Sequence, residues 1–256
     1  MTYDPIAHHR EIEKRVVQKR VGGDLRKYSR FRQDRWYGGI LTADCVGCGL
    51  TCKFCWVRSE SILSGETSGE FLSSDQVAEK FLKMAHEKKI RQVRISGGEP
   101  TLGREHLMKV LNTLQNKKIH FILETNGILI GEDSSYAEEL ALFPFIHVRV
   151  SLKGCNEGEF GLLTGADPKG FPLQLAALNN LVKAGVSTHA AVMISFSGKE
   201  SIDKLYSVIW KIDPRMHSEI EREEVILYPY VQERLKGAGL RHYSGHMPDK
   251  ISRDQT

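Results

Sequence analysis

The chain has 256 residues, 41% of them hydrophobic and 27% charged, with a formal net charge of +4, the balance of one large α/β domain or two small ones. No run of about eighteen apolar residues occurs, which excludes a transmembrane helix, and the opening MTYDPIAHHREIEKRVVQKR lacks the apolar stretch of a secretory signal. The expected compartment is therefore the cytoplasm, with no membrane partner, and there five cysteines, four of them crowded between Cys45 and Cys55, point to metal rather than to disulfides.

Residues 1–36 read as a basic N-terminal extension. Up to residue 37 there are ten Lys and Arg against five acids. Such a balance gives either a solvated helix and loop or a surface for an anionic partner such as RNA. From 37 to 236 short β-rich runs alternate with amphipathic helical runs. The strand candidates are 37–44, 91–96, 119–125, 145–152, 186–194 and 224–230. Helix candidates lie between them: SSDQVAEKFLKMAHEKK, with Ser73 and Gln76 in capping-box spacing, then REHLMKVLNTLQNKK, SSYAEELALF, PLQLAALNNLVKAG and KESIDKLYSVIWKI. Gly185 stands where a helix should stop. Residues 237–256 form a C-terminal tail, polar and expected to fray over SGHMPDKISRDQT.

Strand–helix alternation implies a parallel sheet with right-handed crossovers, arranged as an open or partial barrel or a doubly wound sheet. Functional groups then gather at the carboxyl ends of the strands. Cys48, Cys52 and Cys55, spaced C-x3-C-x2-C, follow the first strand. Gly97, Gly98, Glu99 and Pro100 follow the second, and Thr125, Asn126 and Gly127 the third. Ser151 and Lys153 end the fourth.

The cysteine spacing lacks the second pair of a zinc ribbon and does not match a bacterial ferredoxin run. Three thiolates suit one face of a [4Fe–4S] cube and leave its fourth iron open to a substrate or cofactor.

C-x3-C-x2-C with Phe54 before its last cysteine resembles the radical S-adenosylmethionine superfamily, and Gly97-Gly98-Glu99-Pro100 is similar to that family's GGEP segment. Thr125-Asn126-Gly127, Leu152-Lys153, Leu162-Leu163-Thr164-Gly165 and Leu227-Tyr228-Pro229-Tyr230 look like segments of glycyl-radical-enzyme activating enzymes. Ser151, Glu124 and the long basic extension depart from the activating-enzyme pattern. Trp56 is similar to the tRNA wybutosine-synthesis members.

The resemblance implies an α/β fold, a partial (β/α)6 barrel, with a [4Fe–4S] cluster on Cys48, Cys52 and Cys55. It implies S-adenosylmethionine (SAM) held by the backbone at Gly97 and Gly98. Glu99 would accept from an ammonium, Pro100 would stiffen the turn, and Lys153 would pair with a carboxylate. Ser151, Thr125 and Asn126 would face the ribose or the methionine. It further implies an oxidoreductase-like enzyme that cleaves SAM reductively to a 5′-deoxyadenosyl radical, with an electron donor such as flavodoxin or ferredoxin. The substrate would be a protein glycine, with a tRNA or a small metabolite as alternatives. A non-catalytic iron–sulfur module for electron transfer or sensing is the reading from another class. Cys45 and Cys155 are read as buried thiols, or as a hydrogen relay or a second ligand set. His8, His9, His242 and His246 are read as solvated, with nothing fixing them as ligands.

Overall fold

The structure, a computed structural model, describes residues 2–58, 60–67 and 69–251. The elements run α1 (Pro5–Val16), β1 (Val17–Gln18), β2 (Leu25–Asp34), β3 (Ile40–Cys45), α2 (Glu60–Ser64), β4 (Glu70–Leu72) and α3 (Ser74–Lys88). Next come β5 (Gln92–Ser96), α4 (Arg104–Leu114), β6 (His120–Thr125), α5 (Ile128–Glu132), α6 (Ser135–Leu140), β7 (Ile146–Leu152) and α7 (Glu157–Thr164). The chain closes with α8 (Gly170–Lys183), β8 (Thr188–Met193), α9 (Lys199–Ile212), β9 (Glu221–Glu223) and α10 (Pro229–Gly237).

All strands share one open sheet, ordered β1-β2-β3-β5-β6-β7-β8-β9, with β4 paired to β2. From β3 to β9 every pairing is parallel. This open, parallel-dominated sheet agrees with the partial barrel that the resemblance implied, one of the arrangements that strand–helix alternation left open. No helix among the described residues is long and apolar enough to cross a membrane.

Several local expectations hold in detail. Ser73 Oγ accepts from Gln76 N–H at 3.2 Å and Gln76 Oε1 accepts from Ser73 N–H at 2.8 Å, closing the capping box of α3. Gly185 takes φ +75° after α8.

Other expectations are corrected. The first strand begins at Ile40, because residues 37–39 form a turn with positive φ at Tyr37, Gly38 and Gly39. The sixth parallel strand is residues 221–223 rather than 224–230. Pro229 cannot donate to a ladder and instead opens α10 at its first position. The N-terminal stretch is not a solvated helix and loop. β2 pairs antiparallel with β3 along Tyr28–Asp34 and adds to the sheet.

Several of its basic side chains pair with acids of the same chain, most of them at the surface. Arg30 and Arg32 bind Asp44, Lys19 binds Asp24, and Arg10 binds Glu132. Buried Arg26 donates to the carbonyls of Leu102, Val16, Lys27 and Glu99 at 3.1–3.4 Å.

The tail is also tied down. Leu227 N–H donates to His246 O at 2.8 Å and His246 N–H donates to Val225 O at 2.9 Å. Residues 252–256 lie outside the described residues.

The two faces of the sheet differ in chemistry because side chains alternate along each strand. Leu41, Ala43, Val93, Ile95, Phe121, Leu123, Val148 and Val150 are buried with Phe81, Val110 and Leu178 from the helices. In-register partners on the opposite face are polar: Arg32 with Thr42, Thr42 with Arg94, Glu124 with Arg149, Arg149 with His189. A bulge between Tyr28 and Arg30 lets both Tyr28 and Phe31 reach the apolar side, with rings 5.8 Å apart.

Candidate active site at the carboxyl edge of the sheet

β3 ends at Cys45, and the cysteine loop leaves it at the sheet edge where β5, β6 and β7 also end. Backbone bonds fix the loop from three sides. Gly47 and Cys48 donate to the carbonyls of Ile62 and Leu63 at 2.8 and 2.9 Å. Lys53 donates to Leu163 at 2.9 Å, and Glu99 N–H donates to Gly47 O at 2.7 Å. Gly98 lies so close to this loop that a Cβ there would stand 2.3 Å from the Gly47 oxygen. Gly97 has φ +89° and its backbone passes against Asp44 and Cys45.

All five cysteines are free thiols. Cys52 is buried, while Cys48 and Cys55 are half-buried. Burial pushes the Cys52 thiol up to about 12, opposed by the Lys153 cation, and it pushes Cys48 and Cys55 up as well. Cys48 senses Cys52 and Cys55 electrostatically, and Cys52 senses Cys55. Their donor chemistry fits a cluster: soft sulfurs, gathered at one mouth, whose protons iron can replace. Among the described residues no three His, Cys, Asp or Glu converge on a single ion. A cubane offers each thiolate a different iron and spreads its ligands accordingly.

Phe54 is buried against Phe196 with ring centroids 5.7 Å apart, and Lys153 Nζ sits 6.0 Å over its ring. Thus Lys153, from the end of β7, stands beside Cys52 and Cys55 as a cation at the mouth.

Glu99 is 2% exposed and its carboxylate is anchored by four protein donors. Oε1 accepts from Thr101 N–H, Thr101 Oγ1 and Thr125 Oγ1 at 3.1, 2.6 and 2.7 Å, and Oε2 accepts from Asn126 N–H at 2.8 Å. Three donors converge on Oε1 and one reaches Oε2, so Oε2 keeps acceptor capacity. Glu99 therefore fastens the turn after β5 to the turn after β6, and Thr125 serves the same fastening. Pro100 is buried within that turn.

Ser151 Oγ accepts from Arg149 at 2.7 Å, and among the described residues its own proton has no acceptor. Asn126 Nδ2 lies 3.8 Å from Cys48 Sγ and 2.9 Å from His9 Nε2.

Cys45 is buried beneath the loop with its thiol pushed up to about 11 by burial, opposed by Arg26. Cys155 lies beyond Lys153, its thiol bonded to Ser197 and also pushed up to about 11. His9 is 0% exposed, so it is not a solvated histidine. Burial lowers its pKa against the opposing pull of Glu99.

The sequence reading named His9 but took it as solvated, and it missed Glu223, whose Oε1 accepts from Arg149 at 2.7 Å and whose charge reaches Cys52. Its Oε2 is buried without a hydrogen-bond partner among the described residues. An orphaned carboxylate oxygen at the mouth awaits a donor. The misplacement of the sixth strand hid it, and the charged run Glu221–Glu223 carries no hydrophobic signal of a strand.

A 121-residue part of the chain is 34% identical to a probable GTP 3′,8-cyclase of Methanococcus vannielii, covering 47% of this chain and 38% of that protein. Pyruvate formate-lyase-activating enzyme of Clostridium pasteurianum is 26% identical over 185 residues, 71% of this chain and 72% of that enzyme. The crystal structure of Streptococcus suis SuiB bound to S-adenosylmethionine superposes with a TM-score of 0.54 at 20% identity, covering 79% of this chain and 45% of that one. The chain thus spans less than half the length of the cyclase and of SuiB. The family model of the radical SAM superfamily matches residues 44–209, from the end of β3 into α9, and the chain belongs to that superfamily, whose enzymes use a [4Fe–4S] cluster and SAM.

Proposed function

We propose that the chain is an activating-enzyme-like radical SAM enzyme that takes hydrogen from a glycine of a protein partner. The observation that carries this reading is the match to the activating enzyme, which runs through 71% of the chain and 72% of that enzyme. The cyclase match is higher in identity but ends within 38% of the cyclase.

In this reading residues 37–236 form the catalytic core, and Cys48, Cys52 and Cys55 hold three corners of the cluster. When bound and given one electron by a flavodoxin- or ferredoxin-type donor, cluster and SAM supply hydrogen-atom abstraction. The residues of the chain position that chemistry. Gly97 and Gly98 let the turn after β5 close on the cysteine loop, and this places their backbone beside the cluster ligands to receive SAM. Glu99 Oε2, which accepts from Asn126 N–H alone among the described residues, keeps a lone pair for the SAM ammonium. Lys153 attracts the carboxylate, and the Ser151 hydroxyl and Glu223 Oε2 offer a donor and an acceptor to the remaining polar groups. Phe54 and Phe196 close the apolar side and exclude water.

Anaerobic reconstitution followed by dithionite and SAM should yield 5′-deoxyadenosine. A brown, cluster-loaded protein that makes none refutes the reading. The substrate is tested with a lysate of the source organism grown on α-deuterated glycine. Deuterium in the product supports a protein glycine. Product without deuterium, in the same lysate, turns the assignment to a tRNA or a small metabolite.

A further inference from the structure

The polar groups of Asn126 are all committed. Oδ1 accepts from Ile128 N–H at 3.0 Å, and the backbone N–H donates to Glu99 at 2.8 Å. With its oxygen so held the amide cannot flip, and the two Nδ2 hydrogens are left for His9 Nε2 at 2.9 Å and Cys48 Sγ at 3.8 Å. The imidazole of His9 is fixed in turn. Its Nδ1 lies 2.6 Å from the Pro5 carbonyl, which can only accept, so Nδ1 carries the hydrogen and Nε2 presents its lone pair to Asn126.

The same ring fills the space above the cysteine loop. A Cβ at Gly49, the residue after Cys48, would stand 2.1 Å from His9 Nδ1. Two neighbours on this N-terminal segment hold the loop alongside it. His8 Nδ1 lies 3.0 Å from Gly49 O, and the Tyr3 hydroxyl accepts from Thr51 N–H at 3.0 Å. A helix outside the residues matched by the family model thus shapes the loop and orients a donor toward one of its sulfurs.

We infer that His9 is a positioning residue that holds the Asn126 amide with an N–H toward the Cys48 sulfur, and that this bond raises the reduction potential of the iron–sulfur centre bound there. The inference rests on the cluster-binding reading of Cys48. Its physical basis is that negative charge on the sulfurs grows when a cluster accepts an electron. An N–H donor stabilises that charge and makes reduction easier, as hydrogen bonds to cluster sulfurs do in general.

The test uses the full chain reconstituted with iron and sulfide and titrated electrochemically under EPR, with neither SAM nor substrate present. Asn126→Leu removes the donor. His9→Phe keeps the ring volume and removes the lone pair. Both should retain wild-type iron content and show a lower midpoint potential, the shift being larger for Asn126→Leu. The double variant should match Asn126→Leu alone, because His9 acts through Asn126, and His9→Gln, which restores an acceptor, should recover part of the shift. Unchanged potentials at full iron content overturn the inference. Should the variants fold poorly, the metal-free wild-type protein decides by nitrogen NMR: an Nδ1–H tautomer at His9 supports the arrangement and an Nε2–H tautomer overturns it. A wild-type chain that takes up no iron overturns the cluster reading itself, a result distinct from any potential shift.

Discussion

Replacing Gly98 by alanine tests the packing on which the whole mouth depends. The added Cβ would meet the Gly47 oxygen at 2.3 Å and the Cys45 oxygen at 3.0 Å. Both are backbone atoms, so no rotamer change relieves the contact. Glu99 N–H donates to that same Gly47 oxygen at 2.7 Å, and moving the oxygen away weakens the bond. Overpacking and a weakened buried hydrogen bond each cost about 1–3 kcal/mol. Taking about 3 kcal/mol together, at roughly 2–4 °C per kcal/mol for a domain of this size, the unfolding midpoint falls by roughly 6–12 °C. The assay is thermal unfolding of the metal-free protein by circular dichroism, so that loss of a cluster cannot mimic loss of packing. Gly237→Ala is the control: nothing lies within 4 Å of its Cβ position at the end of α10, and its stability should move by about 1 kcal/mol or less. A Gly98→Ala midpoint within about 2 °C of wild type would refute the argument, because the loop and the turn after β5 would then not be in contact as described.

Three further outcomes follow from single sites. His106 is 1% exposed; its Nδ1 faces Asp24 O and its Nε2 faces the Tyr28 hydroxyl, at 3.0 and 3.2 Å, which suits the neutral ring. Burial, aided by Arg26, lowers its pKa from 6.5 to about 4. The unfolded chain therefore binds the extra proton first as pH falls. The stability this site contributes, about 3 kcal/mol, is present above pH 6.5 and is lost progressively down to about pH 4. Urea unfolding of wild type and His106→Gln across that window should converge toward low pH, and parallel curves would contradict the sign. Arg26→Lys should destabilise by about 2–4 kcal/mol in the same urea assay, because an ammonium cannot serve carbonyls of Val16, Lys27, Glu99 and Leu102 spread around a planar fork. Iron uptake should survive Cys45→Ala and Cys155→Ala but fail in Cys52→Ala; iron loss in either of the first two variants would place another ligand in the site.

Much of the molecule was legible because its signals are local. The capping box of α3, the stop at Gly185 and the polar ends of β3, β5, β6 and β7 each depend on residues a few positions apart. Strand alternation carried the parallel sheet. It failed at residues 224–230, where an apolar run was read as a strand. Pro229 starts a helix there, and the true strand is the charged Glu221–Glu223, stabilised by Arg149 from β7. A charged three-residue strand has no hydrophobic period to read.

The sequence by itself singled out the three cysteines and the two glycines, since their spacing suits a short segment that wraps a cluster and a turn that closes on it. Tertiary structure alone decided what surrounds them. Asn126 turns to His9, 117 residues away, and Glu99 turns to Thr125 and Asn126 rather than outward. The basic N-terminal stretch became a strand and a buried clamp. A polar side chain takes whichever partner packing brings within reach once water is excluded, and that choice spans separations over which a sequence carries no periodic signal.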